Sequence, residues 1–248
     1  MEDKPLSWDH VPPKGGINLT AVEMETVTQV FAGDPDKRQL RESQNGVKYR
    51  TICKECNSLL GLKYDPIIND FSVSVGRYIK SNLKFPQVVN HRTRPSALMR
   101  GILGHLVAAK AEYDQASFDV QVREYFFDES KSVPSGIHIY YWIYPYTHIV
   151  IMRDFCMPAV RGNFGDFGIF HTLKYFPIAY LVTDKPKYEG LLELTQYRNL
   201  AMEEEVEIPI QLYRVEHFFW PEMVDKGNLL LTGQSMESSV SARPRGRK

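Results

Sequence analysis

Apolar residues recur along this chain at two rhythms. In IINDFSVSVGRYIKSN, Ile68, Phe71, Val75 and Ile79 stand three and four apart, the period that gathers them on one face of a helix. RPSALMRGILGHLVAAKAEYD repeats the pattern with Leu98, Ile102, Leu106 and Ala109, behind Pro95 at the first helical position. SFDVQVREYFFDE alternates like a strand, but Phe118, Val122, Tyr125 and Phe126 share a helical face, and we read it as a helix. Beyond residue 136 the rhythm shortens. IHIYYWIY, HIVIMRDF, FGIFHTLKYF and IAYLVTD are aromatic and β-branched, separated by Pro, Gly, Asn and Asp, and predict antiparallel strands. A helical stretch over 189–205 and a strand at VEIPIQLY complete this part.

The first 66 residues are less regular. TAVEMETVTQVFAG carries a weak helical pattern (Val22, Val27, Val30, Phe31) closed by Gly33, and GDPDKRQLRESQNG reads as a polar loop. VKYRTI is strand-like, and CKECNSLLG suits a tight knuckle running into a short helix that stops near Gly61. The tail GQSMESSVSARPRGRK is polar and is expected to be disordered. The expected class is α+β: a small module over 1–66, a larger domain of helices and antiparallel strands over 67–232, and a loose tail over 233–248.

Composition narrows the setting. Of 248 residues, 43% are hydrophobic and 24% charged, enough for a sizeable core. Basic and acidic residues balance at 30 each, so net charge identifies no polyanionic partner. Their distribution is uneven: Arg77, Lys80, Lys84, Arg92, Arg94, Arg100 and Lys110 lie in a stretch without an acid, while Glu203, Glu204 and Glu205 stand together. The basic stretch is either an anion-binding face or a solvated one. Three cysteines, Cys53, Cys56 and Cys156, suit a reducing compartment better than a disulfide framework. MEDKPLSWDH lacks a basic segment before an apolar core, and Pro145 and two histidines break the longest aromatic run. We therefore expect no signal peptide, no membrane association and a cytoplasmic location.

Two short motifs carry chemistry. In SWDHVPPKGG an Asp-His pair precedes a double proline that fixes the backbone. Such a pair suits an ion ligand beside a general base, although a solvated loop accounts for the same letters. In ICKECNSLLG two cysteines flank two residues, with Asn57 directly after them. Cys53 and Cys56 could share a metal ion, form a redox pair, or do neither.

Together, DHVPPK and CKECN resemble the HNH endonuclease module of the ββα-metal class, in the variant with Asn where a third His often stands. The resemblance spans roughly residues 7 to 63. It implies that Asp9 and Asn57 hold a divalent ion, Mg²⁺ or Mn²⁺, that His10 is the general base, and that Cys53 and Cys56 are half of a structural Zn²⁺ knuckle. It further implies hydrolysis of nucleic acid, double-stranded DNA above RNA, in a bacterial defence or mobile-element setting. Lys14, Arg77, Arg92, Arg94 and Arg100 would contact the phosphate backbone. A neutral imidazole can take a proton from water near pH 7, and oxygen ligands suit Mg²⁺.

The chain departs from the family in two places. The first Cys pair of the knuckle would precede the Asp-His by a dozen or so residues, before the sequence begins, so the zinc is truncated, incomplete or absent. The middle Asn that orients the catalytic His is missing from VKYRT, and Asn45 is the nearest candidate. The rival reading is a catalytically degenerate HNH-like module that binds zinc, nucleic acid or a protein partner; a homodimer is left open. The remaining histidines, His91, His105, His138, His148, His171 and His217, read as packed or loop residues, although His91 could touch a phosphate. The aromatic runs YYWIYPY and HFFW read as sheet core.

Overall fold

The structure, a computed structural model, describes residues 4–17, 20–32, 38–112, 116–158, 167–186, 188, 190–213, 215, 218–220, 231–232 and 238–246. In chain order the strands and helices are β1 (Leu6–His10), β2 (Val22–Thr26), α1 (Val27–Ala32), β3 (Arg41–Ser43), β4 (Lys48–Cys53), α2 (Lys54–Leu59), α3 (Asp65–Lys80), β5 (Val88–Thr93), α4 (Pro95–Ala108) and α5 (Ser117–Phe127). There follow β6 (His138–Ile143), β7 (Ile149–Pro158), β8 (Phe167–Tyr175), β9 (Ile178–Thr183), β10 (Leu192–Glu193), β11 (Val206–Gln211), β12 (Leu231–Thr232) and β13 (Val240–Pro244). The fold is α+β. A nine-stranded antiparallel sheet runs β10-β6-β9-β8-β7-β13-β2-β3, with β12 on β7, while β1–β4 and β5–β11 are separate antiparallel pairs.

Helix α4 is the hub. Every residue from Pro95 to Leu106 is buried, as in a helix packed on all sides rather than along one stripe. Two glycines allow this. A Cβ on Gly101 would lie 2.5 Å from Ile68 Cδ1 of α3, and one on Gly104 2.8 Å from Leu60 and Phe126, so only Gly permits such close approach. Helix α3 buries Ile68, Phe71 and Val75 as their spacing predicts.

Several expectations need correction. Residues 22–26 are a strand, because Val-Glu-Met-Glu-Thr pairs between β13 and β3; the helix covers only Val27–Ala32. The polar loop contains β3. The helix after Cys53 does not stop at Gly61. It passes through one wide turn, Leu60–Tyr64, into α3, because Leu60 and Tyr64 are buried beneath α4. Among the described residues of 189–205 the regular structure is a short strand, Leu192–Glu193, and one 3-10 turn, Thr195–Tyr197, rather than a helix. The tail holds β13, whose buried Ser241 and Ala242 insert it between β2 and β7. The expected boundary at residue 66 falls inside α3, and Val11, Val22, Val47 and Tyr49 share one core with Leu98, Ile102 and Leu173. Among the described residues no helix is long and apolar enough to cross a membrane.

Candidate active site

The two motifs, some forty residues apart, meet in one strand–strand–helix unit. Strand β1 carries Asp9 and His10 opposite Tyr49 and Lys48 of β4, with a bulge between Ser7 and Asp9. Bulges re-aim side chains, and here Asp9 points inward at 5% exposure while His10 stays half-buried. Helix α2 begins directly after β4, and its Asn57 Nδ2 donates to Ser7 Oγ and to the Trp8 carbonyl, both at 2.9 Å. That leaves Asn57 Oδ1 free of hydrogen bonds from described residues. The turn Lys14–Gly16 lies on α3 so closely that a Cβ on Gly15 would meet Asn69 Nδ2 at 2.3 Å. The glycines of VPPKGG therefore serve contact rather than flexibility.

His10 Nε2 is buried without a partner among the described residues. Burial, then the charges of Lys14 and Lys48, hold its pKa below the usual histidine value against the pull of Asp9 and the Asn45 backbone. A neutral ring with a vacant nitrogen is the form a proton acceptor requires.

Asp9 has a partner that the sequence reading missed. Its Oδ2 lies 3.2 Å from His105 Nδ1, and His105 Nε2 lies 2.8 Å from Asp65 Oδ1. Full burial opposes a charge on His105, but the two carboxylates outweigh it and raise the pKa to about 10. His105 is therefore an imidazolium clamped between β1 and the start of α3. The spacing of His105 on its helix showed that it packs, but its partners lie 96 and 40 residues away in sequence.

Cys53 caps α2 by accepting from Cys56 N at 3.4 Å, and the two sulfurs are 3.1 Å apart. The hydrogen bond from Cys56 holds the Cys53 thiol below its ordinary pKa, while burial, then Cys53, pushes Cys56 up to about 11. Cys156 lies on β7 opposite Ile169 and Leu231, in the other sheet. Among the described residues no group of three or more His, Cys, Asp or Glu side chains is arranged to hold a metal ion.

The expected phosphate-binding residues separate. Arg77 is exposed on α3, and Lys14 is exposed on its turn. Arg92 and Arg94 are paired with Glu205 at 2.9 Å and Glu203 at 2.7 Å, so the acidic run neutralises the basic stretch across β5 and β11. Arg100 is a correction. It is fully buried, donating to Ser96 Oγ and the Asp128 and Lys131 carbonyls with its guanidinium 3.9 Å over Tyr125, and cannot reach a nucleic acid. His91 lies 3.3 Å from Asp70, His138 bonds Glu193 at 2.9 Å and His148 stacks on Phe218; His217 falls outside the described residues.

A second polar centre escaped the sequence reading altogether. Lys110 reaches Asp119 at 2.8 Å and Asp154 at 3.0 Å, and buried Arg153 reaches Asp119 at 2.6 Å and donates to the Leu106 carbonyl. Asp154 sits at φ 56° in a β7 bulge, where Asp is among the few residues tolerated. Its backbone N–H donates to His171 Nδ1 at 3.0 Å. Burial, then Arg153, pulls the His171 pKa down to about 3, so this ring is neutral.

No protein-family model, curated protein or solved structure matches this chain.

Proposed function

We propose that this chain is a metal-dependent nuclease of the HNH type, hydrolysing phosphodiester bonds of nucleic acid, DNA rather than RNA. The observation that carries the reading is His10: kept neutral by burial and two nearby lysines, and vacant at Nε2, within a strand–strand–helix unit shared with Asp9 and Asn57. Trp8, 59% exposed with Lys48 5.9 Å over its ring, gives the same hairpin an aromatic and cationic outer face suited to nucleic acid.

A divalent ion such as Mg²⁺ takes one or two protein oxygens completed by waters and substrate phosphate. Asp9, anchored through Oδ2 by His105, and Asn57, with Oδ1 free, would hold it. Once bound, the ion supplies positive charge to the phosphate and the departing oxygen. His10 Nε2 takes a proton from the attacking water as its oxygen bonds to phosphorus, and the leaving oxygen departs with the electron pair of the broken P–O bond. Lys14 and Lys48 add positive charge beside this nitrogen. A structural zinc fits less well: two sulfurs are half of a closed site, and the described residues contribute no third ligand.

That half-site favours a second reading, a binding module that retains the hairpin without turnover. Plasmid cleavage with Mg²⁺ or Mn²⁺, comparing the chain with His10→Ala, separates the two. Cleavage lost in the variant supports the nuclease; DNA bound but uncut by the parent chain supports the module.

A further inference from the structure

A cavity of about 830 Å³ opens between the turn after β1, α3 and the β8–β9 turn. One wall is the Gly15–Ile17 segment, which follows His10 by five residues in sequence; another includes Val22 and Gly46. The C-terminal half of α3, the β8–β9 turn, and Pro145, Thr147 and Ile149 line most of the remainder. Its volume lies within the roughly 300–1,000 Å³ of small-molecule sites.

The charges around it are one-sided. Arg77 and Lys80 are the only charged side chains among its described lining residues, and no acid faces it. Arg92, Arg94, Arg100 and Lys110 of the same basic stretch are each bound to a carboxylate, or in the case of Arg100 to carbonyls and a hydroxyl. Arg77 has no partner among the described residues, and Lys80 touches only the Phe176 ring, 4.9 Å from its centre. The same cavity is lined by the apolar Val73, Ile149 and Pro177, beside Ser72, Thr147 and Tyr175. Unneutralised positive charge beside apolar and hydroxyl-bearing side chains suits an anion carrying an apolar body.

We propose that this cavity binds a nucleotide unit, with its phosphate on Arg77 and Lys80 and its base against Val73, Ile149 and Pro177. The choice of a nucleotide among anions with an apolar body rests on the nuclease reading of the β1–β4 unit; the affinity for such an anion does not. The unit comes either from a strand laid towards His10 or from a free mononucleotide.

The test is calorimetric titration of the full chain in EDTA with AMP, with a 5′-phosphorylated oligodeoxyadenylate and with inorganic phosphate, alongside plasmid cleavage in Mn²⁺. Saturable binding of AMP or the oligomer is expected, weakened at least tenfold by Arg77→Glu/Lys80→Glu and by Val73→Trp, which fills the cavity from a partly exposed position. Arg77→Ala, on an exposed helix face, is the milder variant if either of those fails to fold, and is expected to weaken binding several-fold. An oligomer at least tenfold tighter than AMP identifies a unit of the strand, and equal affinity a free nucleotide. No saturable binding, binding unchanged in folded variants, or phosphate binding as tightly as AMP would overturn the proposal. Nucleotide binding without cleavage leaves the cavity standing and removes the nuclease reading; cleavage without nucleotide binding does the reverse.

Discussion

Two polar centres lie on either side of α4, and they are finished to different degrees. Around Lys110, Asp119, Arg153, Asp154 and His171 the charges are paired and the His171 ring is both an acceptor and stacked on Phe118 at 4.1 Å. Around Asp9, His10 and Asn57, polar capacity is left over: His10 Nε2 is orphaned and Asn57 Oδ1 accepts nothing from described residues. A buried network that only holds a fold together tends to close its hydrogen bonds. A centre that must take up water, an ion or a phosphate has to keep some open. On the nuclease proposal, the centre around His10 is the site and the one around Lys110 a strut.

The sharpest way to break this comparison is His10→Ala, expected to lower cleavage by about 10²–10⁴-fold with an unchanged melting temperature. A large loss of stability instead would make His10 another strut. Asp119→Ala is the mirror test. It strands Lys110 and Arg153 without their shared carboxylate and should cost about 3–5 kcal/mol, visible as a lower urea midpoint. A near-neutral result would show that the cluster holds nothing. Asn57→Ala, losing both the tie to β1 and an oxygen, is expected to reduce Mn²⁺-dependent cleavage by about 10–100-fold. The smallest effect belongs to Arg92→Ala, whose exposed ion pair is worth about 0–1 kcal/mol.

Histidine titration sharpens the same contrast, because the two buried rings depend on pH in opposite senses. His105 has its folded pKa raised to about 10, so its contribution to stability is complete below the unfolded value of 6.5 and is lost as pH rises towards 10. His171 has its folded pKa lowered to about 3, so its neutral form is favoured above 6.5 and stability drains away as pH falls towards 3. Urea midpoints in EDTA should flatten on the alkaline side in His105→Gln and on the acid side in His171→Gln. Unaltered slopes in both would refute the assigned charge states.

Much of the helical and central-strand architecture was readable because it depends on local periodicity. Pro95 and the Leu98–Leu106 spacing define α4, and the aromatic runs define β6 to β9. What stayed hidden depends on distant partners. Val22–Thr26 looks helical until β13 and β3 flank it, and β13 looks like a loose tail because buried Ser241 and exposed Arg243 flank its buried Ala242. Arg100 was misassigned because charge normally means surface, whereas here a tyrosine face, a serine and two carbonyls replace water. Within the site, Asp9, His10 and Asn57 were legible as letters. The His105 clamp joins residues that only the fold brings together.

The position of β13 also sets a timetable. Strands β2 and β3 join the large sheet only through β13, which pairs with β2 on one side and β7 on the other. Just before it, the Ser238 carbonyl accepts from the Tyr49 hydroxyl of β4, and Ser239 Oγ accepts from Arg153 N. Chains emerge from the ribosome N-terminus first, so the hairpin bearing His10 exists as nascent polypeptide long before residues 238–244 are added. The large sheet is closed only when that segment is available, so a chain cut before residue 238 should leave β2 and β3 without their link to β7.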